Sequence, residues 1–400
     1  MTVANQNTGP IRFEGAFLGV LLSGGALAGM AQMAIVTALP ELAARYAGSG
    51  DGTFIAQQVM TVAGPAMAVG GPLLGWLAGF TGKRNMLLIS SVLYAVAGLA
   101  GAFAPDFWTL ILSRILLGLV CGGLVAAGMA LLADYYSGPR RDRLIGWVSV
   151  IGGGGTLISL FAAGKLVENF DWRAPFGLYL VGLVMFLFAV PAVPRTPVSG
   201  AAAHGGEGGS VLPAAGYLVM LVILSIVMNM IAVQGVFLLH DEGVTSPTFH
   251  STVLIVNTVG TMAGAYAFTW LRPRLSYVTM QALTWALLGL GVMGFALSHG
   301  LVMISLFCFV TGLGTGLVTP SHQSAILGVV PPSANAKAMG FALGAIFVGL
   351  MINPFIVKPL RDAMGFQSAF AAVGAAALVG CVAALLWRLR TGRRIPQPAE

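Results

Sequence analysis

Of 400 residues, 57% are hydrophobic and only 8% are charged, too few to cover a water-facing surface, for which a soluble domain uses about 25%. The net charge of +7 does not mark a nucleic-acid partner, because most basic residues sit in short segments between apolar runs, where they act as topology signals. Cys121, Cys308 and Cys381 all fall inside apolar runs, a spacing that offers neither a disulfide framework nor a metal site.

A bilayer core about 30 Å thick takes roughly 20 residues of helix, and the chain offers twelve apolar runs of about that length. They are continuous, without the two-residue alternation of an outer-membrane barrel, so an all-α membrane protein of twelve transmembrane helices is predicted. Met1–Glu14 is polar, and the run that follows is too long for a signal peptide, so the first span, Phe17–Leu39, is expected to stay in the protein. That span holds Met30, Gln32 and Met33. The second, Phe54–Phe80, holds Gln58 and Pro65, and a basic loop with Lys83 and Arg84 leads to the third, Met86–Phe103. The fourth, Trp108–Ala133, contains Arg114, the one charge clearly inside a span, and Asp134 stands at its end. Leu144–Leu166, with the run Gly152–Gly155, and Pro175–Val193 complete the first half.

Pro194–Pro213, with the low-complexity stretch Gly200–Ser210, reads as a flexible cytoplasmic linker. It separates residues 1–193 from residues 214–400, two six-helix bundles of nearly equal length. The second half holds the runs Ala214–Leu239, Thr252–Leu271, Tyr277–Leu297, Leu301–Leu327, Ala336–Val357 and Ser368–Leu386, then a short basic tail. With the N-terminus inside, the cytoplasmic segments carry Arg12, Lys83, Arg84, Arg140, Arg141, Arg143, Arg195, Arg272, Arg274, Lys337, Arg388, Arg390, Arg393 and Arg394. The opposite side has only Arg45, Lys165, Arg173, Lys358 and Arg361. This bias predicts both termini in the cytoplasm and the chain in the inner (plasma) membrane.

Enzyme signatures are absent. No Gly-Lys-Ser/Thr loop is present, and Gly152–Gly155 reads as small residues that let helices approach. No cofactor and no catalytic residue are expected. Arg114 has two readings: it organises a proton relay or meets an anionic substrate, or it ties helices together through their carbonyls. Asp134 pairs with Lys83, Arg84 or the Arg140–Arg143 cluster as a gate, or is a solvated helix end. Gln32 and Asn229 are each sixteenth in their runs and occupy matching depths if the halves repeat. Gln58, Gln234, Asn257, Gln281 and Asn353 are further polar candidates, each lining a substrate path or bonding to a neighbouring helix. Met33, with Met30, Met228 and Met230, suggests an apolar lining. Pro65, Pro320 and Pro354 interrupt spans two, ten and eleven, and Gly312, Gly314, Gly316 and Pro320 make span ten the expected flexible element. His240, His250, His299 and His322 are read at helix ends as interfacial residues, one of which can carry protons.

The loop after span two runs Gly75-Trp-Leu-Ala-Gly-Phe-Thr-Gly82-Lys83-Arg84. It resembles the Gly-x-x-x-Asp-Arg-x-Gly-Arg/Lys-Arg loop of the major facilitator superfamily, with Gly79 and Phe80 where the Asp and Arg usually stand. Arg114-x-x-x-Gly118 in span four is similar to the family's Arg motif, and Trp172-Arg173 with Phe176 resembles its approach to span six. In span five Gly146 and Gly155 match the pattern of drug/proton antiporters, but Ser159-Leu160 replaces its Gly-Pro. The resemblance covers nearly the whole chain. It implies two pseudo-symmetric six-helix bundles around a central cavity, and alternating access for a small-molecule substrate. Its Arg motif makes H+ a candidate coupling partner, while the composition and charge distribution point to membrane lipid and no nucleic acid as partners, and a monomer is expected. Export of a neutral, amphipathic or anionic solute is the expectation, with an uptake permease or a transport-inactive receptor as alternatives.

Overall fold

The computed structural model describes residues 13–194, 210–331 and 334–391. The stretch 195–209 of the predicted linker, and Arg12, Arg195, Arg393 and Arg394 of the charge count, lie outside the described residues, as does all of the predicted basic tail beyond residue 391. Among the described residues every regular element is helical.

Eleven helical segments are long and apolar enough to cross a bilayer. They are Glu14–Tyr46, Gly52–Thr81, Lys83–Phe103, Phe107–Tyr135, Arg143–Asn169, Ala174–Ala192, Leu212–Asp241, Pro247–Leu271, Tyr277–Leu297, Leu301–Leu327 and Lys337–Leu386. The last has 50 residues, about 75 Å of helix at 1.5 Å per residue, more than twice a hydrocarbon core. Gly365, at φ 81°, breaks it, so it supplies spans eleven and twelve and the crossings number twelve. Trp76, Ile158, Leu187, Val219, Trp270 and Val379 stand exposed along these segments. Hydrocarbon, not water, suits such a surface.

The chain divides into two compact units, Met1–His204 and Gly205–Glu400. In the first, span one packs on span five, two on four, and three on six. In the second, seven packs on eleven, eight on ten, and nine on twelve, the same three pairings six spans later. Small residues make these seams. A Cβ on Gly25 would strike the Val148 carbonyl and one on Gly155 would strike Ala26, which brings spans one and five into backbone contact. Gly118 and Gly122 meet the carbonyls of Ala63 and Met67 across the two–four seam. Across the eight–ten seam, Gly260 and Gly264 meet the carbonyls of Phe309 and Leu313.

Two expectations are corrected here. Span ten, Leu301–Leu327, runs unbroken through Pro320. Its glycines are packing surfaces rather than a hinge: Gly312 lies against the Asn257 carbonyl, Gly316 against that of Thr261, and Gly314 against Leu288. His322 and His250 lie near span ends as expected, but they are enclosed by protein rather than facing outward, at 0% and 1% exposed.

The connections are also locally determined. Gly82, between spans two and three, has φ 84°, a left-handed conformation that side chains disfavour. Asp106 caps span four by accepting the Thr109 N–H at 2.8 Å. That bond holds its carboxyl below the usual carboxylate range.

Candidate functional site

The first span of each unit is interrupted. In span one the helix Glu14–Met33 stops, passes through a short turn of tighter helix at Val36–Ala38, and resumes as Leu39–Tyr46. The β-branched run Ile35-Val36-Thr37 and Pro40, which has no N–H to give, account for the stop. In span seven the helix Ala215–Met228 gives way to a π-helical segment, Ile231–Gly235, before Val236–Asp241. Such wide turns occur mostly as single insertions and often mark functional positions. Gln32 with Met33, and Asn229, therefore sit at the interruptions of spans one and seven. Gln32 and Met33 are half-buried. Gln32 makes no hydrogen bond among the described residues.

Side chains from other spans hold the interrupted helix of the first unit. Tyr94 of span three donates its hydroxyl to the Leu27 carbonyl at 2.8 Å. Tyr179 of span six makes a longer 3.5 Å approach to the carbonyl of Ala31, next to Gln32. Arg114 of span four stands behind them, 0% exposed. It donates to the Tyr179 hydroxyl at 2.9 Å and to the Gly98 carbonyl at 3.1 Å. Its guanidinium carbon lies 4.9 Å from the ring centres of both Phe176 and Tyr179. Gly98 and Gly101 leave room for Tyr179 and Phe176, which their Cβ atoms would strike. Among the described residues no carboxylate reaches Arg114, and its Nε has no partner.

The second unit solves the same problem without charge. Asn353 of span eleven donates to the Ile226 carbonyl at 2.8 Å and accepts from Gln234 of the π segment at 2.9 Å. Asn229 bonds back to the Ser225 carbonyl at 2.8 Å, and Ser225 donates to the Ile346 carbonyl of span eleven. Met230, expected as lining, is fully buried, and its sulfur lies 3.4 Å from the Asn353 amide. Asn257 ties span eight to the Cys308 carbonyl of span ten at 3.0 Å. Gln58 is half-buried with its amide nitrogen enclosed and unpartnered. In the first unit the interruption carries Gln32 and Met33, and in the second unit, taken by itself, it brings together Asn229, Gln234 and Asn353, whereas Asn257 belongs to the eight–ten seam and Pro320 lies within an unbroken helix.

At the end of spans two and four, Lys83 pairs with both carboxylate oxygens of Asp134, at 2.7 and 2.6 Å. Arg84 turns away and donates to the carbonyls of Val193 at 2.8 Å and Val190 at 2.9 Å, capping span six. Gly75 is exposed, its Cβ position 4.0 Å from Ala126. Of the predicted partners for Asp134, the one in contact is therefore Lys83.

Tyr94 and Tyr179 escaped the sequence reading. The only trace was the phenolic hydroxyl itself, a donor that needs a partner in an apolar span.

A model of the Major Facilitator Superfamily matches residues 21–308 and 217–400. The multi-drug resistance efflux pump PmrA of Streptococcus pneumoniae is 22% identical over 84% of this chain and 86% of its own. The gentisate transporter of Corynebacterium glutamicum is 23% identical over 84% and 79%. The puromycin resistance protein pur8 of Streptomyces alboniger is 36% identical, but over only 27% of this chain and 22% of its own. Among solved structures, a peptide transporter POT in complex with sulfate superposes with a TM-score of 0.78 at 16% identity, covering 97% of this chain and 98% of that one. The nucleoside transporter NupG gives 0.75 at 13% identity, over 92% and 99%.

Proposed function

The chain belongs to the Major Facilitator Superfamily, and from that premise we propose that this multi-pass transporter of small solutes works as a proton-driven exporter in the plasma membrane. One observation carries the reading: the first span of each unit is interrupted beside polar, uncharged side chains. Interrupted helices in membranes persist where their freed backbone groups meet a cavity or are covered by protein. Here Tyr179 and Asn353 cover part of that backbone, while Gln32 remains free. A solute with few charges and a large apolar surface fits such a lining. Similarity to an efflux pump over most of the chain supports export. Access alternates as one bundle rocks against the other, and a proton enters as the solute leaves. The chain acts as a monomer with both ends in the cytoplasm.

Everted membrane vesicles test this. With the interior made acidic, they are expected to accumulate one or more members of a panel of neutral and weakly charged aromatic solutes, puromycin among them. Collapse of the gradient is expected to abolish accumulation, and Gln32→Ala to raise KM several-fold with little change in protein level. Accumulation only in right-side-out vesicles supports an uptake permease instead, and saturable binding without flux in either orientation supports a receptor.

A further inference from the structure

His322 lies late in span ten and is fully buried. Its Nδ1 stands 2.9 Å from the Val318 carbonyl. A carbonyl only accepts, so Nδ1 carries the hydrogen and Nε2 of the neutral ring presents a lone pair. Gln281, early in the antiparallel span nine, donates its amide to that lone pair at 2.9 Å. The same Gln281 nitrogen lies 2.5 Å from the hydroxyl of Tyr277, the first residue of span nine. Tyr277 is half-buried and so links this buried pair to the surface. The Oε1 of Gln281 is enclosed and has no partner.

We propose that Tyr277, Gln281 and His322 form a proton-binding site in the second unit, in which the Gln281 amide reverses when His322 takes up a proton. A hydronium ion from the bulk gives up one O–H bond as the Nε2–H bond forms and leaves as water, and no other covalent bond changes. Two donors, Nε2–H and the amide, then face each other. A half-turn of the amide replaces its nitrogen by Oε1, which accepts from Nε2–H and from the Tyr277 hydroxyl. The oxygen left unpartnered in the neutral arrangement thus has a role in the charged one. Every element packed against this part of span ten bears on the site. Span nine contributes Tyr277 and Gln281, and span seven contributes Tyr217, whose ring packs edge-on at 5.2 Å against Tyr277. The end of span eight brings Arg272, whose Nε lies 3.3 Å from the Ser324 hydroxyl. Span eleven begins with Lys337, which is exposed. None of these is a carboxylate, so the bound proton makes a net charge inside the protein, which the reversed Gln281 amide faces.

This site rests on the proton-driven reading above, and two measurements keep the two apart. Full-length protein with 15N-labelled histidine in nanodiscs is titrated between about pH 4 and 8. One ring resonance, lost in His322→Gln, is expected to show Nδ1–H when neutral and to titrate. In Gln281→Leu, which lacks the acceptor, its midpoint is expected to fall by about one pH unit. A His322 resonance that does not titrate in that range, or whose midpoint is unchanged in Gln281→Leu, overturns the proposal. In everted vesicles, gradient-driven puromycin uptake is expected to be lost in His322→Gln and to shift its pH optimum in Tyr277→Phe. Uptake in His322→Gln at the wild-type rate and pH profile also overturns it. If His322 titrates as stated while wild-type uptake ignores the gradient, the proton-driven reading falls and the binding site stands.

Discussion

Arg114 brings a full positive charge into an enclosure that holds no anion. Two hydrogen bonds and two aromatic faces stand in for water. These contacts support the proposal that Arg114 is a positioning residue, acting through Tyr179 on the end of the helix that carries Gln32. Arg114→Ala would leave the Gly98 carbonyl and the Tyr179 hydroxyl short of donors, so a loss of about 3 kcal/mol is expected. A lower Tm in detergent, measured beside the milder Arg114→Lys, checks it. The sequence shows Arg114 plainly, because a charge inside an apolar run is conspicuous. Its surroundings are not legible, since Gly98, Phe176 and Tyr179 come from elsewhere in the chain and each looks like ordinary span content. The same limit explains His322, whose partner Gln281 is 41 residues away. A histidine near a span end reads as interfacial until that neighbour is seen.

At the scale of elements, length and hydropathy are strong signals, and most spans were legible to within a few residues, although span one runs on past Leu39 to Tyr46 and span eight starts at Pro247 rather than Thr252. Breaks within them were legible only in part: span two divides at Val62, three residues before the marked Pro65. The sequence marked Pro320, yet span ten runs through it, and it marked nothing after Met33, where span one stops. Proline is tolerated when its neighbours re-satisfy the freed carbonyl, so it signals opportunity rather than interruption. Glycine is ambiguous in the same way, because a small residue permits either bending or close approach, and only the neighbouring helix decides. Span five separates the cases: Gly154 faces open space, whereas Gly155 lies against Ala26 and, across the same seam, Gly25 lies against Val148. Gly25→Ala is expected to push spans one and five apart at a cost of about 1–3 kcal/mol. Gly154→Ala is expected to be neutral or slightly stabilising. Thermal unfolding of the two variants side by side makes the comparison.

For the molecule as a whole, the repeat is a repeat of pairings. Sequence likeness between the halves is faint, yet spans 1–5, 2–4 and 3–6 pair as spans 7–11, 8–10 and 9–12 do. Side chains at the seams have diverged because a seam asks only for small residues at the crossing, while the order of pairing is fixed by topology. The basic residues carry a prediction at this scale. Twelve crossings are expected to put both ends on one side, and the excess of Lys and Arg in that side's segments predicts that it is the cytoplasm. Reporters fused at each end are expected to resist an impermeant protease in intact cells and to be cut once the membrane is opened. Cleavage of just one of them in intact cells would contradict an even number of crossings.

Arg84 holds the last turn of span six by the carbonyls of Val190 and Val193, one residue before the connecting segment begins. Its neighbour Lys83 grips Asp134. The thread that leaves the first unit is therefore moored beside the buckle that fastens the start of span three to the end of span four. A pull along that thread loads the Arg84 mooring first and the buckle next, so the tether between the halves doubles as a ripcord.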